Sequence, residues 1–440
     1  LKNRRLCIFA ALVLFLLPSP MLFSETVLDW GGFAGGSGEF TDIQEFDIEN
    51  TELSAQGGLW LRTQFSDAFN VYGRGVYIYT DNRPYFGDLN NLYASGRFIL
   101  GESEGTGSPT LLSYRAGRFR FSEFTGYVLS HNLDGFRLNY EHAKFSLEGG
   151  AGYTGLTFIP SSGITISEND LLVQGDAPDH GYALSPPKVI ETLKLTVPDF
   201  SFGQDIILNW VFQQDLQEAG ASGGRMHTVH SGVGSRGRIA PSIYQNTFFY
   251  HNLGIGEYYT SAFLFGGRLS YYNTDLYYTR VQLRALFSSG DNEYTNSFYG
   301  GYSGDGISTH FIPLSSSPGF GIVFSPEIGN ISLAELSFSI RPFSKTYIRS
   351  LEKLETSLKG LVFFRNTGGK ISEIGINNSS EENYLGTELN LNIKARPASD
   401  FIFSLSGGLF MPNNYTESSA FVESVDSMQA SVRLDLSFNF

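Results

Sequence analysis

Basic side chains recur at one parity of this chain's alternating segments. Arg62, Arg97, Arg118, Arg120, Arg268, Arg280, Arg284, Arg341, Lys359, Lys394, Arg396 and Arg433 lie opposite the apolar residues around them. Acids at that parity are fewer, chiefly Glu148, Glu335, Glu388 and Asp435, although the whole chain is acidic, with a formal net charge of −14. Such a set does recognition chemistry: Arg or Lys side chains around a bore favour anions and raise their local concentration. The same residues also suit a wall in which each cation pairs with an acid as a brace, and spacing alone leaves both readings open.

Residues for bond-making chemistry form no complete set. No Gly-x-Ser-x-Gly elbow is present, and "GYSGDG" (301–306) lacks its spacing. His227 and His230 in "MHTVH" have no third ligand near them in sequence, so no metal is assigned. Asp291, Glu293 and Asp305 do not follow the spacing of an EF-hand. The expectation is a protein that is not an enzyme and needs no cofactor.

The elements that carry these cations are strands. In "TRVQLRALF" (279–287), Val281, Leu283, Ala285 and Phe287 oppose Arg280, Gln282 and Arg284; "LWLRTQF" (59–65), "LAELSFSI" (333–340) and "LGTELNLNIKA" (385–395) alternate the same way. The chain's last ten residues, "SVRLDLSFNF", alternate down to Phe440. Further segments at 69–80, 91–100, 112–122, 134–141, 143–154, 188–198, 202–213, 243–252, 257–272, 320–325, 353–365 and 400–411 bring the expectation to 16–18 strands. In 112–122 the parity of Arg115 differs from that of Arg118 and Arg120, which predicts a bulge near Gly117. Fifty Gly, 38 Phe and 24 Tyr against four Met suit strands and turns, and a mean hydropathy of −0.10 is wrong for a bundle of membrane helices.

Lipid leaves one sheet solution, a closed barrel with every backbone amide paired. A charge facing lipid at mid-depth costs about 2–4 kcal/mol, so the basic parity belongs inside. Tight connections at 66–70, 198–200, 272–275, 326–330 and 396–400 and long ones at 101–111, 155–187, 214–241, 288–319, 366–383 and 412–426 predict short turns on one rim and long loops on the other. The fold expected is all-β, a transmembrane antiparallel β-barrel over residues 56–440.

Residues 1–24 read as a signal peptide: Lys2, Arg4 and Arg5 precede the apolar run 6–17, with a cut after Ser24. Its removal takes away those three cations, moving the net charge from −14 to −17, and also the single cysteine, Cys7. An exported protein this acidic is a poor nucleic-acid binder. Residues 25–55 are long enough for a first strand or a small plug. The implied location is a bacterial outer membrane, with outer-membrane lipid as a partner.

Two stretches resemble the alginate-export outer-membrane channel family: "GRFRFSEFTGYVLSHNLDGFRLNYEHAKFSLEGGAGYTG" (117–155) and "YLGTELNLNIKARPASDFIFSLSGGLFMP" (384–412). The resemblance implies an 18-stranded monomeric channel whose arginine-lined bore passes anionic sugar polymers or other anions, with Arg118 and Arg120 as lumen residues. The terminal Phe440 likewise resembles the signal read by the barrel-assembly machinery. The function expected is a porin-like channel for passive passage of small anionic or sugar-like solutes, or of an anionic polysaccharide. Two alternatives stand beside it: a fatty-acid-type transporter with an apolar bore, and a surface adhesin or structural barrel with a closed one.

Overall fold

The computed structural model describes residues 26–440 except 44–47, 67, 82, 103–106, 176–181, 219–224, 257, 295–297, 301, 303, 305, 318, 374, 378–379, 414–418 and 422–427. The signal-peptide segment and Asp305 therefore lie outside the described residues. The chain forms β1 (Val27–Ile43), β2 (Ile48–Ser66), β3 (Phe69–Thr80), β4 (Arg83–Glu102), β5 (Pro109–Ser122), β6 (Ser130–His142) and β7 (Phe145–Tyr153). It continues through β8 (Lys188–Ser201), β9 (Gln204–Asp215), β10 (His227–Ala240), β11 (Ile243–Ile255), β12 (Tyr259–Asn273) and β13 (Thr279–Ser288). A two-residue strand, β14 (Ile307–Ser308), precedes β15 (Ile331–Ile340), β16 (Glu355–Arg365), β17 (Tyr384–Ala395), β18 (Phe401–Pro412) and β19 (Gln429–Asn439).

All but β14 run antiparallel to their neighbours and close into a barrel of 18 strands. Closure is made by β1 and β19, paired from Phe33↔Asn439 to Asp42↔Ala430. Beyond that ladder Gly32 N–H donates to the Phe440 carbonyl at 2.9 Å, and Phe440 N–H returns to Gly32 at 3.0 Å. No edge is left at the junction, so the apolar end strand meets lipid on one face only. On β2, β12, β15 and β19 the outward residues are large and exposed: Leu59 and Leu61, Phe263 and Phe265, Leu336 and Phe338, Leu434 and Leu436.

Both chain ends of the wall lie at one rim, here the terminal rim, and the opposite end is the loop rim. The long connections 154–187, 289–330, 366–383 and 413–428 all leave from the loop rim. Several expectations change. The wall begins at Val27 and not at residue 56, because 27–43 is β1. Residues 101–102 and 109–111 are the ends of β4 and β5, a connection that lies at the terminal rim, and 227–240 of the expected loop 214–241 is β10. Residues 320–325 are not a strand, and 326–330 are no turn of the terminal rim; both belong to the connection between β13 and β15. No bulge forms at Gly117, since β5 pairs with β6 without interruption from Leu111↔Glu141 to Ser122↔Ser130.

The inward face changes character with height. On β13 it reads Arg280, Gln282 and Arg284, then buried Leu286; on β16 Lys359 is followed by buried Leu361 and Phe363; on β12 Arg268 gives way to buried Leu264 and Ala262. The terminal half of the bore is thus polar. On these strands the loop half is apolar and packed against segments that fold inward, with Val128, Leu129, Phe311, Leu314, Phe320 and Phe324 buried among the wall residues, whereas at β8 and β9 it holds Lys188 buried between Asp170 at 2.7 Å and Asp215 at 3.3 Å.

Two segments supply that packing. Pairing between β4 and β5 stops at Leu92↔Arg118; above it, among the described residues, 83–91 of β4 pairs only with β3, and Phe119–Ser122 of β5 pairs only with β6. The β5–β6 hairpin leaves the wall there and crosses the bore. Its tip reaches β11, where Tyr250 donates to the buried Glu123 at 2.5 Å and stacks on Phe124 at 5.5 Å. The second segment, 320–324, is held by Glu388 of β17, whose carboxylate accepts the N–H groups of Ile322 (2.5 Å), Val323 (3.1 Å) and Phe324 (2.8 Å).

Candidate functional site

Below the crossing hairpin, inward residues of β2 to β7 enclose a cavity of about 430 Å³ lined by Arg62, Arg97, Arg115 and Arg137, with Gln64, Asn70, Ser95, Ser113, Asn139 and Glu148 among them. Strand alternation puts these side chains on one face: Arg97 is opposite Ser113, Ser95 opposite Arg115, and Arg115 opposite Arg137. Two guanidiniums directly across an antiparallel pair repel. Here they are carried by ring faces. Arg115 lies 4.6 Å from the Tyr93 ring centre and 5.4 Å from Phe119, while Arg137 lies 5.1 Å from Phe119 and 4.9 Å from Phe121. Arg74 sits 4.3 Å from the inward Phe33 in the same way. A ring quadrupole orients a cation without cancelling its charge. The acid of this cavity is Glu148, 4.0 Å from Arg137 and 3.1 Å from Lys194, so it is shared between two cations.

A second cluster faces it from the other wall. Arg284 donates to the Tyr127 hydroxyl at 3.0 Å, pairs with Glu335 and lies 5.0 Å from the Phe320 ring. Lys359 donates to the Phe320 carbonyl at 3.1 Å. Tyr127 belongs to the hairpin tip and Phe320 to the second inward segment, so these two cations tie both fillers to the wall. Arg268, opposite Arg284 in the β12–β13 ladder, lines a smaller cleft with Thr125 and Tyr127.

The remaining cations singled out in the sequence are dispersed. Arg118 and Arg120 lie on the face of β5 opposite Phe119 and Phe121, hence opposite Arg115. Arg118 is braced by Asp134 at 2.8 Å and Asp88 at 3.6 Å; Arg120 donates to the Ser130 hydroxyl at 2.7 Å. Arg341 pairs with Glu355 at 3.0 Å, and Arg396 donates to the Ser399 carbonyl, both at the terminal rim. Lys394 is opposite Glu355, Arg280 is opposite Tyr272 and Ser339, and Arg433 pairs with Asp435 at 2.9 Å and Glu39 at 3.8 Å.

Arg115 and Arg137, at the centre of the arginine-lined cavity, are not in the basic set read from the sequence. A signal existed in Arg115 and Phe119, four apart on one strand face; the partner Arg137 is set by a cross-strand register that spacing does not disclose. His227 and His230 both fall on β10, where residues three apart point to opposite faces, and His230 is buried while His227 is exposed. Asp291 accepts the N–H groups of Glu293 and Thr309, each at 2.9 Å, which engages it in the loop's own turn. Among the described residues no group of three or more metal-binding side chains comes together.

No protein-family model matches the chain, and no curated protein matches it in sequence. Solved structures do match in fold. OpdQ of Pseudomonas aeruginosa superposes with a TM-score of 0.58 at 10% identity, over 96% of this chain and 99% of its own. OccK5 (OpdH) of the same organism gives 0.55 at 10% identity, over 94% and 98%. OccAB4 of Acinetobacter baumannii gives 0.53 at 10% identity, over 96% and 100%. At that identity the likeness is one of fold, an 18-stranded barrel from end to end. The resemblance to the alginate-export family reaches no further than this shared architecture.

Proposed function

We propose that this barrel is a passive channel of a bacterial outer membrane that favours small anionic solutes. The observation that carries the reading is the pair Arg115 and Arg137, side by side over Tyr93, Phe119 and Phe121 in a cavity that also holds Arg62 and Arg97 against one shared carboxylate. A wall built only for bracing would match each guanidinium with its own acid, as Arg118 and Arg341 are matched. Uncancelled cations in a narrow polar space raise anion concentration and lower the barrier to anion entry. Planar guanidiniums also suit carboxylates and sulfates, which they bind through two parallel hydrogen bonds. Sugar-like anions fit this chemistry, with Asn70, Ser95, Ser113 and Asn139 available for hydroxyl groups. The polar terminal half argues against a fatty-acid-type bore, and the closed-barrel reading leaves the like-charged pair without a purpose.

Planar-bilayer recording tests this. Under a KCl gradient the wild-type reversal potential should report anion preference, and Arg115→Gln with Arg137→Gln should move it most of the way to zero. Cation preference in the wild type, or an unchanged potential in the double variant, would overturn the reading.

A further inference from the structure

The wall is incomplete where the hairpin leaves it. Among the described residues, 83–91 of β4 has a strand neighbour on one side only. Free strand edges are costly next to lipid because their amides and carbonyls go unpaired. In this barrel side chains answer them: Arg118 donates to the Leu89 carbonyl at 3.2 Å, Asn132 to the Asn90 carbonyl at 3.1 Å, and the Gly87 N–H donates to the Tyr182 hydroxyl at 3.2 Å. Such stitches break one at a time, unlike a ladder.

The opening is stopped by the connection that follows β7. Phe158 meets Tyr182 at 4.9 Å, Tyr182 lies over Phe86 of β4 at 5.6 Å, and the Ser161 hydroxyl donates to Asp88 at 2.6 Å. At the height of the gap the outer surface is still apolar, with Leu89, Leu92 and Tyr77 exposed on β4 and β3. Just below lie Tyr93 and Phe119, in contact with each other at 6.1 Å and with Arg115 of the cavity. Beside the gap Arg120 is exposed, and among the described residues no acid pairs with it.

We propose that this gap is a side door, stopped by residues 156–163 and Tyr182, through which a single-chain anionic amphiphile passes between the bilayer and the cavity. A polar solute gains nothing from leaving the axis. An amphiphile already dissolved in the leaflet keeps its chain against Phe86 and Leu89 while its head group finds Arg120 and then Arg115. The inference goes beyond the axial channel and does not need it to be correct.

The test uses the full barrel in vesicles with Cys7→Ser, Asp88→Cys and Ser161→Cys, and a dodecyl sulfate analogue carrying a photoactivatable diazirine on its chain. Reduced protein should be labelled at the inward rings Tyr93 and Phe119. Closing the 88–161 disulfide should cut that labelling by about tenfold, a change on the scale of roughly 1.4 kcal/mol. Chloride current without amphiphile should be equal in both states, which separates loss of the door from loss of the axial channel. Arg120→Gln, at an exposed position, gives a second arm with wild-type cysteines: labelling by the sulfate probe should fall severalfold, and labelling by a probe with a neutral head should not. No labelling of the inward rings in reduced protein, or equal labelling in both redox states, would overturn the proposal.

Discussion

At the scale of single residues, the buried polar groups of the inward segments decide how firmly the bore is filled. Glu388 is fully buried and takes three backbone donors. In Glu388→Ala those donors lose their acceptor, at a cost on the order of 1–3 kcal/mol for each that stays buried. The expected outcome is rapid hydrogen exchange at Ile322, Val323 and Phe324 and a larger, noisier conductance. His310 is buried in the same connection, against Tyr294 at 4.5 Å and Phe298 at 4.9 Å, and burial lowers its pKa from 6.5 to about 4. An unfolded or released loop would bind a proton that the packed one resists. Its contribution is therefore intact above pH 6.5 and is lost as pH falls toward about 4. Exchange around His310 should accelerate across that window, and His310→Phe should flatten the response.

At the scale of elements, glycine separates what was legible from what was not. Strands such as 279–288 and 385–395 announce themselves because one parity is apolar and the other polar. β1 does not, since its lipid face includes Gly32, Ala34, Gly36 and Gly38, small residues that erase the alternation. A Cβ at Gly32 would stand 2.4 Å from the Phe440 ring and 3.0 Å from the Gly58 carbonyl oxygen, so glycine lets the terminal ring lie against β1. β10 was hidden for a related reason. Its inward Gly234 leaves room for the tip of the crossing hairpin, and a Cβ there would stand 2.4 Å from Phe124. Replacing Gly234 by Val should leave the wall intact, expel the hairpin tip and cost about 1–3 kcal/mol as overpacking. Bilayer recordings should then show wider openings, and a conductance like that of the wild type would contradict the steric argument. Parity alone assigns Arg62 and Arg97 to the face opposite their apolar neighbours on the strand. It could not locate them at a cavity, because that depends on which strands sit side by side and where the hairpin departs.

At the scale of the whole molecule, closure is made by the β1–β19 ladder, which the Gly32–Phe440 hydrogen bonds extend to the last residue, and we propose that Phe440 also serves in recognition by the barrel-assembly machinery. Phe440→Ala should reduce the amount of folded barrel recovered from the membrane severalfold, read as the fraction that shifts in electrophoretic mobility on heating; unchanged recovery would remove Phe440 from that role. The interior has a second global property. Guanidiniums without their own acids crowd the half nearer the chain ends, whereas in the half beneath the long connections the buried charges are tied up, as Lys188 is between Asp170 and Asp215 and Glu388 is by three backbone donors. Positive charge concentrated toward one end of a conduit breaks the equivalence of the two directions of flow, since mobile anions accumulate at that end under one polarity and are swept from it under the other. The molecule should behave as an electrical diode, with a current–voltage curve that bends in symmetric salt and straightens as added electrolyte shortens the reach of the arginines.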